Sequence, residues 1–519
     1  MAGAPTDLAP ILEAASDFAS YPGRQNDASA KEFLDRFPLP LLFSLMQTEA
    51  DVSGVEGTIV ACLERIFKTK YGASQIPHYA AFVEAGLQAK SQAIQCLACK
   101  AVHYMLENAE DKGNVKEIIT GNIYPLLINC LLEGDELTSA ASLEAINSIA
   151  QTPEGIKIIF PQGSEGYVQL KDVAAHCSSL ARIRILSLVV KLFSLSSLAA
   201  SAVYDSNLLG LFEDQINRQD GILMTLSALE LLYELAESPH SARFLLKTTL
   251  LQLLTGLISN SSVDSIIRTR AVMISGRFLS RADVYTNIDG SRVSALLLAI
   301  DESLDRLNGQ NTDEYERALE ALGLIGTSQQ GAALLLTSSS NVARHAIEAA
   351  FNRHGRGKQL AGLHALGSIC GVDRSADSML LNDNAEECLK RMIYAIAAET
   401  TKLTPSGLFL SVLQLGEREA RLAAYRAISG LVARPWCLME ICSKQEIITL
   451  VTDANSEASK NCLEARYQCC VAINKALSAS NMSTTAGIRE KLQEALVRGP
   501  YLAKTRVEPQ PLVMTAERF

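Results

Sequence analysis

The stretch 143–155 reads LEAINSIAQTPEG and joins an apolar helical stripe to a Thr-Pro turn. The stripe consists of Leu143, Ile146, Ile149 and Ala150. After it, Thr152 is suited to cap a new helix, and Pro153 suits the first helical position, where a missing N–H costs nothing. Such a turn predicts either an anion site at a helix start or a joint between two helices. The choice depends on whether the stretch is unique.

The stretch is repeated along the chain with its apolar stripe kept and its turn changed. The copies are LELLYELAESPHS (229–241), LEALGLIGTSQQG (319–331), LHALGSICGVDRS (363–375) and YRAISGLVARPWC (425–437). An anion site needs one turn chemistry, whereas a joint only needs one helix to end and another to begin. The variable turns therefore favour the joint.

The apolar position equivalent to Ile146 recurs with a period near 44 residues. It is occupied by Leu63, Val102, Ile146, Val189, Leu232, Ile274, Leu322, Leu366, Ile428 and Ile473. A period of this length with helical patterning indicates HEAT or armadillo repeats, whose short helices bury their seam only by stacking. We therefore predict an all-α protein, an α-solenoid of about ten HEAT/armadillo-type repeats in an α-α superhelix.

The repeat pattern also suggests the domain organisation. We expect N-terminal capping helices over 1–40, the solenoid over 41–500 and a disordered tail over 501–519, where proline is frequent and periodicity is lost. An irregular insertion of about 375–415 enlarges one repeat. It should contain an extra helical segment, 385–401, and a loop, 404–407 (TPSG).

Composition narrows the classes of partner and compartment. The net charge of −10 and pI near 5.4 disfavour nucleic acid and anionic membranes, since both require a basic face. Twelve cysteines in 519 residues are too sparse for a disulfide framework. The N-terminus lacks the pattern of a signal peptide, and no run is apolar enough to span a membrane. We expect a monomeric protein of the cytoplasm, with access to the nucleus.

Two segments resemble sites of chemistry. Cys96, Cys99 and His103 suggest a metal site, yet on one helix they form a single stripe, which favours buried thiols. The basic segment FNRHGRGKQL (351–360) lacks the residues of a phosphate loop and is interpreted as a basic loop able to dock an acidic surface. Motifs of hydrolases, metalloproteases and dinucleotide-binding enzymes are absent, so we predict no enzyme activity, no cofactor and no metal.

The polar positions beside the buried stripe are the candidate partner-binding groove. They are Glu144, Asn147, Glu230, Tyr233, Glu234, Glu237, Glu320, His364 and Arg426. The segment 205–237 contains seven acidic residues and a single basic one, Arg218. This excess of negative charge would favour a partner with a basic patch. Acids that only keep the array soluble are the alternative. The single Trp436 lies at a Pro-Trp joint, so the chain lacks the tryptophan ladder of armadillo import adaptors.

The last third of the chain carries a specific resemblance. Its motifs are GLFLSVLQLGEREARLAAYRAISGLVARPWCLMEI (407–441), EASKNCLEARYQCCVAI (457–473) and RGPYLAK (498–504). With these motifs the chain resembles the 26S proteasome non-ATPase regulatory subunit 5 family, HEAT/armadillo-type chaperones of proteasome base assembly. The resemblance covers the whole chain in length and repeat layout, and is specific from about Gly407 onward.

The resemblance implies a binding function without catalysis. Members of that family bind the C-terminal domain of one triple-A ATPase subunit of the regulatory particle while the base assembles, and they leave before the 26S particle is complete. A solenoid suits this task because a long shallow surface can hold a small domain. The repeats alone allow a second hypothesis, a general armadillo adaptor in trafficking, import or signalling.

Overall fold

The computed structural model describes residues 8–47, 54–108, 123–161, 170–218, 221–286, 289–308, 312–400, 402, 404–480 and 486–501. Across these ranges the regular structure is helical, without a strand. None of the helices in them is long and apolar enough to cross a membrane. The chain divides into two compact units, Met1–Thr248 (unit 1) and Thr249–Phe519 (unit 2).

The helices of unit 1 are α1 (Leu8–Ser20), α2 (Asp27–Arg36), α3 (Leu39–Gln47), α4 (Val55–Phe67), α5 (Lys70–Gln75), α6 (Ala80–Leu87), α7 (Gln92–Asn108), α8 (Tyr124–Glu133), α9 (Glu136–Ala150), α10 (Pro153–Ile159), α11 (Leu170–His176), α12 (Ser179–Leu195), α13 (Ser197–Asp205), α14 (Gly210–Asn217), α15 (Ile222–Glu237) and α16 (Ser241–Leu245). A short 3-10 helix, Ile76–Tyr79, precedes α6. The longer helices α4, α7, α9, α12 and α15 pack side by side in this order, and α6 and α8 support them from one side.

The helices of unit 2 are α17 (Leu250–Ser259), α18 (Ser265–Leu279), α19 (Gly290–Leu307), α20 (Thr312–Gly326), α21 (Gln329–Thr337), α22 (Val342–Phe351), α23 (Arg356–Ile369), α24 (Asp383–Glu399), α25 (Pro405–Leu413), α26 (Arg418–Leu431), α27 (Pro435–Ser443), α28 (Gln445–Thr452), α29 (Lys460–Ala479) and α30 (Ala486–Arg498). Three 3-10 helices, Ala282–Thr286, Ala376–Ser378 and Ala454–Ser456, lie in connections. One row runs α18, α20, α23, α26 and α29, and a second contains α17, α19 and α22.

The ten apolar positions that defined the sequence period all lie in the long-helix rows of the two units. Each is at most 1% exposed, from Leu63 in α4 to Ile473 in α29. The repeated residue is therefore the point where each long helix packs against its neighbours. The predicted all-α solenoid class is confirmed, with stacked helices in each unit.

The joint in TPEG has the predicted form, and its glycine is a steric requirement. The hydroxyl of Thr152 accepts the backbone N–H of Gly155 at 3.0 Å, and Pro153 begins α10. A Cβ on Gly155 would lie 1.8 Å from the carbonyl oxygen of Ile149 at the end of α9. The same arrangement of a hydroxyl cap and a crowded glycine recurs at Thr69–Gly72 and Ser328–Gly331. The stretch is a joint between helices.

Two expectations near the insertion are decided by the structure. The extra helical segment is confirmed as α24, Asp383–Glu399. The predicted loop 404–407 is wrong, because Thr404 caps α25 through the N–H of Gly407 at 3.1 Å, and Pro405 is its first residue. TPSG is thus another joint of the TPEG type. The tail expected from 501 onward lies, after residue 501, outside the described residues.

Candidate protein-binding surface

Three long helices of unit 1, α9, α12 and α15, expose one side each and form a common face. The N-terminal ends of neighbouring helices lie together: the Arg184 guanidinium of α12 donates to the carbonyl of Gly134, just before α9, at 2.8 Å. The C-terminal ends also meet, since the ring of Phe193 in α12 lies 6.4 Å from that of His240 after α15. The three helices therefore run in the same direction, and equivalent residues form rows across them.

The upper row of this face is apolar and exposed. Leu137, Leu180 and Leu223 each occupy the second residue of their helix, 43 residues apart in sequence. They are 71%, 56% and 75% exposed. One turn further along lie the half-buried Ile183 and Leu226. We call Leu137, Leu180 and Leu223 the leucine row. Packed helices lie about 8–10 Å apart, so the row spans about 20 Å.

The lower part of the same face carries six of the predicted groove residues. Glu144 is exposed and Asn147 half-buried on α9. On α15, Glu230, Glu234 and Glu237 are exposed and Tyr233 is half-buried. Lys191 of α12 is exposed between the two acidic helices. These six side chains thus lie on one face, where the acids form two strips with a cation between them.

The acid-rich segment 205–237 is divided among several helices rather than gathered in one groove. Asp205 ends α13, and Glu213 and Asp214 lie on α14. Asp220 lies outside the described residues. Of the seven acids in this segment, the described residues place only the three on α15 on the face of the leucine row. The acidic character of that face is therefore weaker than the sequence count suggested.

The other three predicted groove residues lie in unit 2 and engage neighbouring side chains. Glu320 accepts from Arg317 at 2.7 Å. Arg426 donates to Oδ1 of Asp373 at 2.8 Å and lies 3.3 Å from Nδ1 of His364. Burial, with the adjacent Arg426, lowers the pKa of His364, which is consequently neutral at pH 7. These residues form a local network of α20, α23 and α26.

The Cys96, Cys99 and His103 stripe does not converge on one point. The thiol of Cys96 lies 3.7 Å from the carbonyl of Leu137, and Nδ1 of His103 lies 2.7 Å from the hydroxyl of Ser148. The thiol of Cys99 is hydrogen-bonded to that of Cys130, and this bond and burial raise the pKa of Cys99. The interpretation as buried thiols fits these contacts.

The predicted basic loop lines an open cleft of about 410 Å³ in unit 2. Arg353 and His354 line it together with apolar Phe351. The next two basic side chains are engaged: Arg356 pairs with Glu417 at 2.9 Å, and Nζ of Lys358 lies 4.3 Å from the centre of the Tyr315 ring. The loop therefore offers a smaller basic surface than its sequence indicates.

Comparison with models of known protein families identifies the family of this chain. A sequence model described as Proteasome non-ATPase 26S subunit matches residues 24–514. The chain belongs to this family. The match includes both units, so the leucine row and the unit 2 network are parts of the family domain. Membership of the proteasome non-ATPase 26S subunit family associates the chain with the proteasome.

Other comparisons add little to the family assignment. No curated protein matches the chain. Among solved structures, a crystal structure of an engineered protein from the Northeast Structural Genomics Consortium is similar, with 15% identity, 80% of this chain and 98% of that chain covered, and a TM-score of 0.43. A similarity at this level supports no conclusion about function.

Sequence reasoning missed the leucine row, although a signal for it was present. The sequence prediction used only the aligned apolar stripe and the polar positions beside it. Leu137, Leu180 and Leu223 stand nine residues before the aligned positions Ile146, Val189 and Leu232. Ile266 of unit 2 continues the spacing of 43 and is 58% exposed. A column of leucines at the start of successive helices, outside the buried stripe, could have been found.

Proposed function

We propose that this member of the proteasome non-ATPase 26S subunit family is of the subunit 5 type, a non-catalytic chaperone of base assembly. It binds the C-terminal domain of one triple-A ATPase subunit of the regulatory particle, and the α9–α12–α15 face of unit 1 makes the contact. The observation that carries this proposal is the leucine row, three exposed leucines on stacked helices. The protein acts in the cytoplasm, with access to the nucleus.

The chemistry of the face indicates the kind of surface that it would hold. Burying one exposed leucine side chain contributes about 1.5–3 kcal/mol, so a partner covering the row gains a substantial apolar contact. Beside it, Glu144 and Glu234 favour cations on the partner, and Lys191 favours an acid between them. A small domain with an apolar ridge and basic flanks fits this arrangement.

Affinity purification of the full-length chain tests the proposal. We expect recovery of free base ATPase subunits with little core particle, because the chaperone leaves before the 26S particle is complete. Recovery of mature 26S particles alone, or of no proteasome subunit, would contradict the proposal. Recovery of mainly import receptors or cytoskeletal proteins would instead favour a general armadillo adaptor.

A further inference from the structure

Unit 2 contains a cluster of metal-ligand side chains away from the leucine row. Asp301 and Asp305 are one turn apart on α19, and His345 faces them from α22, which packs against α19. One ligand atom of each residue lies within 4.8 Å of the other two. The spacing i, i+4 on a helix directs both carboxylates to the same side, so the cluster follows from the packing of two helices.

The separations of His345 from the two aspartates are close to those between ligands of a small divalent cation, and the two aspartate oxygens lie within 4.8 Å of each other. Nε2 of His345 lies 3.0 Å from Oδ1 of Asp301 and 3.5 Å from Oδ1 of Asp305. Zinc binds histidine nitrogen and carboxylate oxygen at about 2.0–2.2 Å, so two tetrahedral ligands lie about 3.3 Å apart. The two distances from His345 therefore differ from this value by only a few tenths of an ångström, and the exposed Asp305 side chain can adjust to complete the site.

Neighbouring groups already orient two of the three ligands. The remaining oxygen of Asp301, Oδ2, accepts the backbone N–H of Asn341 at 3.0 Å. Nδ1 of His345 lies 3.5 Å from the hydroxyl of Tyr315. Outer hydrogen bonds of this kind fix the tautomer and ring orientation of metal-binding histidines.

The cluster is buried at one end and open at the other. The Asp301 and His345 side chains are 12% and 10% exposed, whereas that of Asp305 is 72% exposed. Arg306, the next residue, is directed away to the carbonyls of Ser259 and Ile258. In the described part of the chain, His345 is the only basic group within ion-pair distance of either aspartate. A cation could enter past Asp305 and offset the two negative charges.

We propose that Asp301, Asp305 and His345 form a zinc-class divalent cation site that fastens α19 to α22. His345 contributes Nε2, each aspartate contributes one oxygen, and water completes the coordination. In the metal-free form the Nε2–H of His345 donates to Oδ1 of Asp301. When the cation binds Nε2, that proton moves to Nδ1, which then faces the hydroxyl of Tyr315 as a donor. The site is structural and independent of the proposed ATPase contact, which lies on unit 1.

Zinc titration of the full-length, chelator-treated chain tests the site. Calorimetry should show one zinc ion per chain, and Asp305→Asn should weaken its binding at least tenfold. Asp305 is exposed, so this change leaves the fold intact. The matched control is Glu302→Gln, an exposed acid on the same helix, which should bind zinc like the wild type. Added zinc should raise the melting temperature of the wild type and of Glu302→Gln but not of Asp305→Asn.

A second readout separates this site from the cysteines. Cobalt(II) bound to nitrogen and oxygen should give visible bands without the intense near-ultraviolet charge-transfer band of thiolate ligation. Equal zinc binding by the wild type and Asp305→Asn, thiolate bands with cobalt, or no binding at about 100 μM zinc would each overturn the proposal. In the last case the cluster is only a hydrogen-bond network.

Discussion

At the scale of single residues, small side chains decide where one helix can follow another. Gly155 is the clearest example, because the carbonyl group of Ile149 at the end of the preceding helix leaves no room for a methyl group. The cap itself could be predicted from Thr-Pro in the sequence. The need for glycine could not, since it arises from the distance to the preceding helix.

Replacing Gly155 should therefore destabilise the protein. Gly155→Ala places a Cβ 1.8 Å from a carbonyl oxygen, and relieving that clash should cost about 1–3 kcal/mol. The control is Gly57→Ala in α4, where nothing lies within 4 Å and alanine should be neutral or stabilising by about 0.4–1 kcal/mol. Urea unfolding of both variants measures the difference. Equal stability of the two variants would refute the steric account.

Buried thiols should make the fold sensitive to alkaline pH. Burial raises the pKa of Cys469 to about 12 and that of Cys470 to about 11. In the unfolded chain the pKa of each thiol is about 8.5. Their contribution to stability is fully present below that pH and is lost as the pH rises toward the folded pKa values. The free energy of unfolding should consequently be level to about pH 8 and decline above pH 9.

Urea unfolding across this pH range tests the thiol account with two variants. Cys469→Ala with Cys470→Ala should decline less steeply at high pH, because the two shifted groups are gone. Cys388→Ala removes a partly exposed thiol and should keep the wild-type slope. Stability that increased between pH 8 and pH 10 would be incompatible with this account.

At the scale of helices, a buried arginine fastens the extra helix of the insertion to the repeats beside it. Arg434, just before α27, is 2% exposed and donates to both oxygens of Glu386 in α24, at 2.7 and 3.0 Å. It also donates to the carbonyls of Cys370 and Gly430. The sequence placed α24 correctly, but an arginine in the turn ARPWC gave no sign of its long-range partner.

Removing the Arg434 side chain should lower the free energy of unfolding substantially. Arg434→Ala removes the donor of two carbonyls and leaves the Glu386 carboxylate with the backbone N–H of Leu381 in place of an ion pair, which should destabilise the fold by about 3–5 kcal/mol. Arg356→Ala is the control, because Arg356 is 83% exposed in its pair with Glu417 and should contribute at most about 1 kcal/mol. Chemical denaturation compares the variants. A loss for Arg434→Ala no larger than for the control would show that the contact contributes little.

At the scale of the whole molecule, the repeat period near 44 residues predicted the helical architecture better than it predicted the partner-binding groove. All ten aligned apolar positions are buried on the long-helix rows, since burial repeats with the stacking. The nine predicted site residues are divided between the two units, six on one face and three in a separate network. Polar residues at equivalent repeat positions do not reveal in the sequence which side chains of other helices form hydrogen bonds or ion pairs with them. Only the packed helices show that Arg426 engages Asp373.

The leucine row should carry the binding activity. Leu137→Asp, Leu180→Asp and Leu223→Asp, combined, place acids in the first turns of three helices, where the helix dipole tolerates them, so the fold should persist. Loss of three apolar contacts should weaken ATPase binding by about a hundredfold or more. The matched control is Leu198→Asp, an exposed leucine at the second residue of α13, 52% exposed and outside the row.

The most direct measurement is the affinity of the purified chain for each base ATPase subunit, compared among the wild type, the triple leucine-row variant and Leu198→Asp. We expect one subunit to bind the wild type and Leu198→Asp alike, and the triple variant to lose that binding while its circular dichroism and melting temperature are retained. Equal binding by all three proteins, or binding of no ATPase subunit by the wild type, would contradict it.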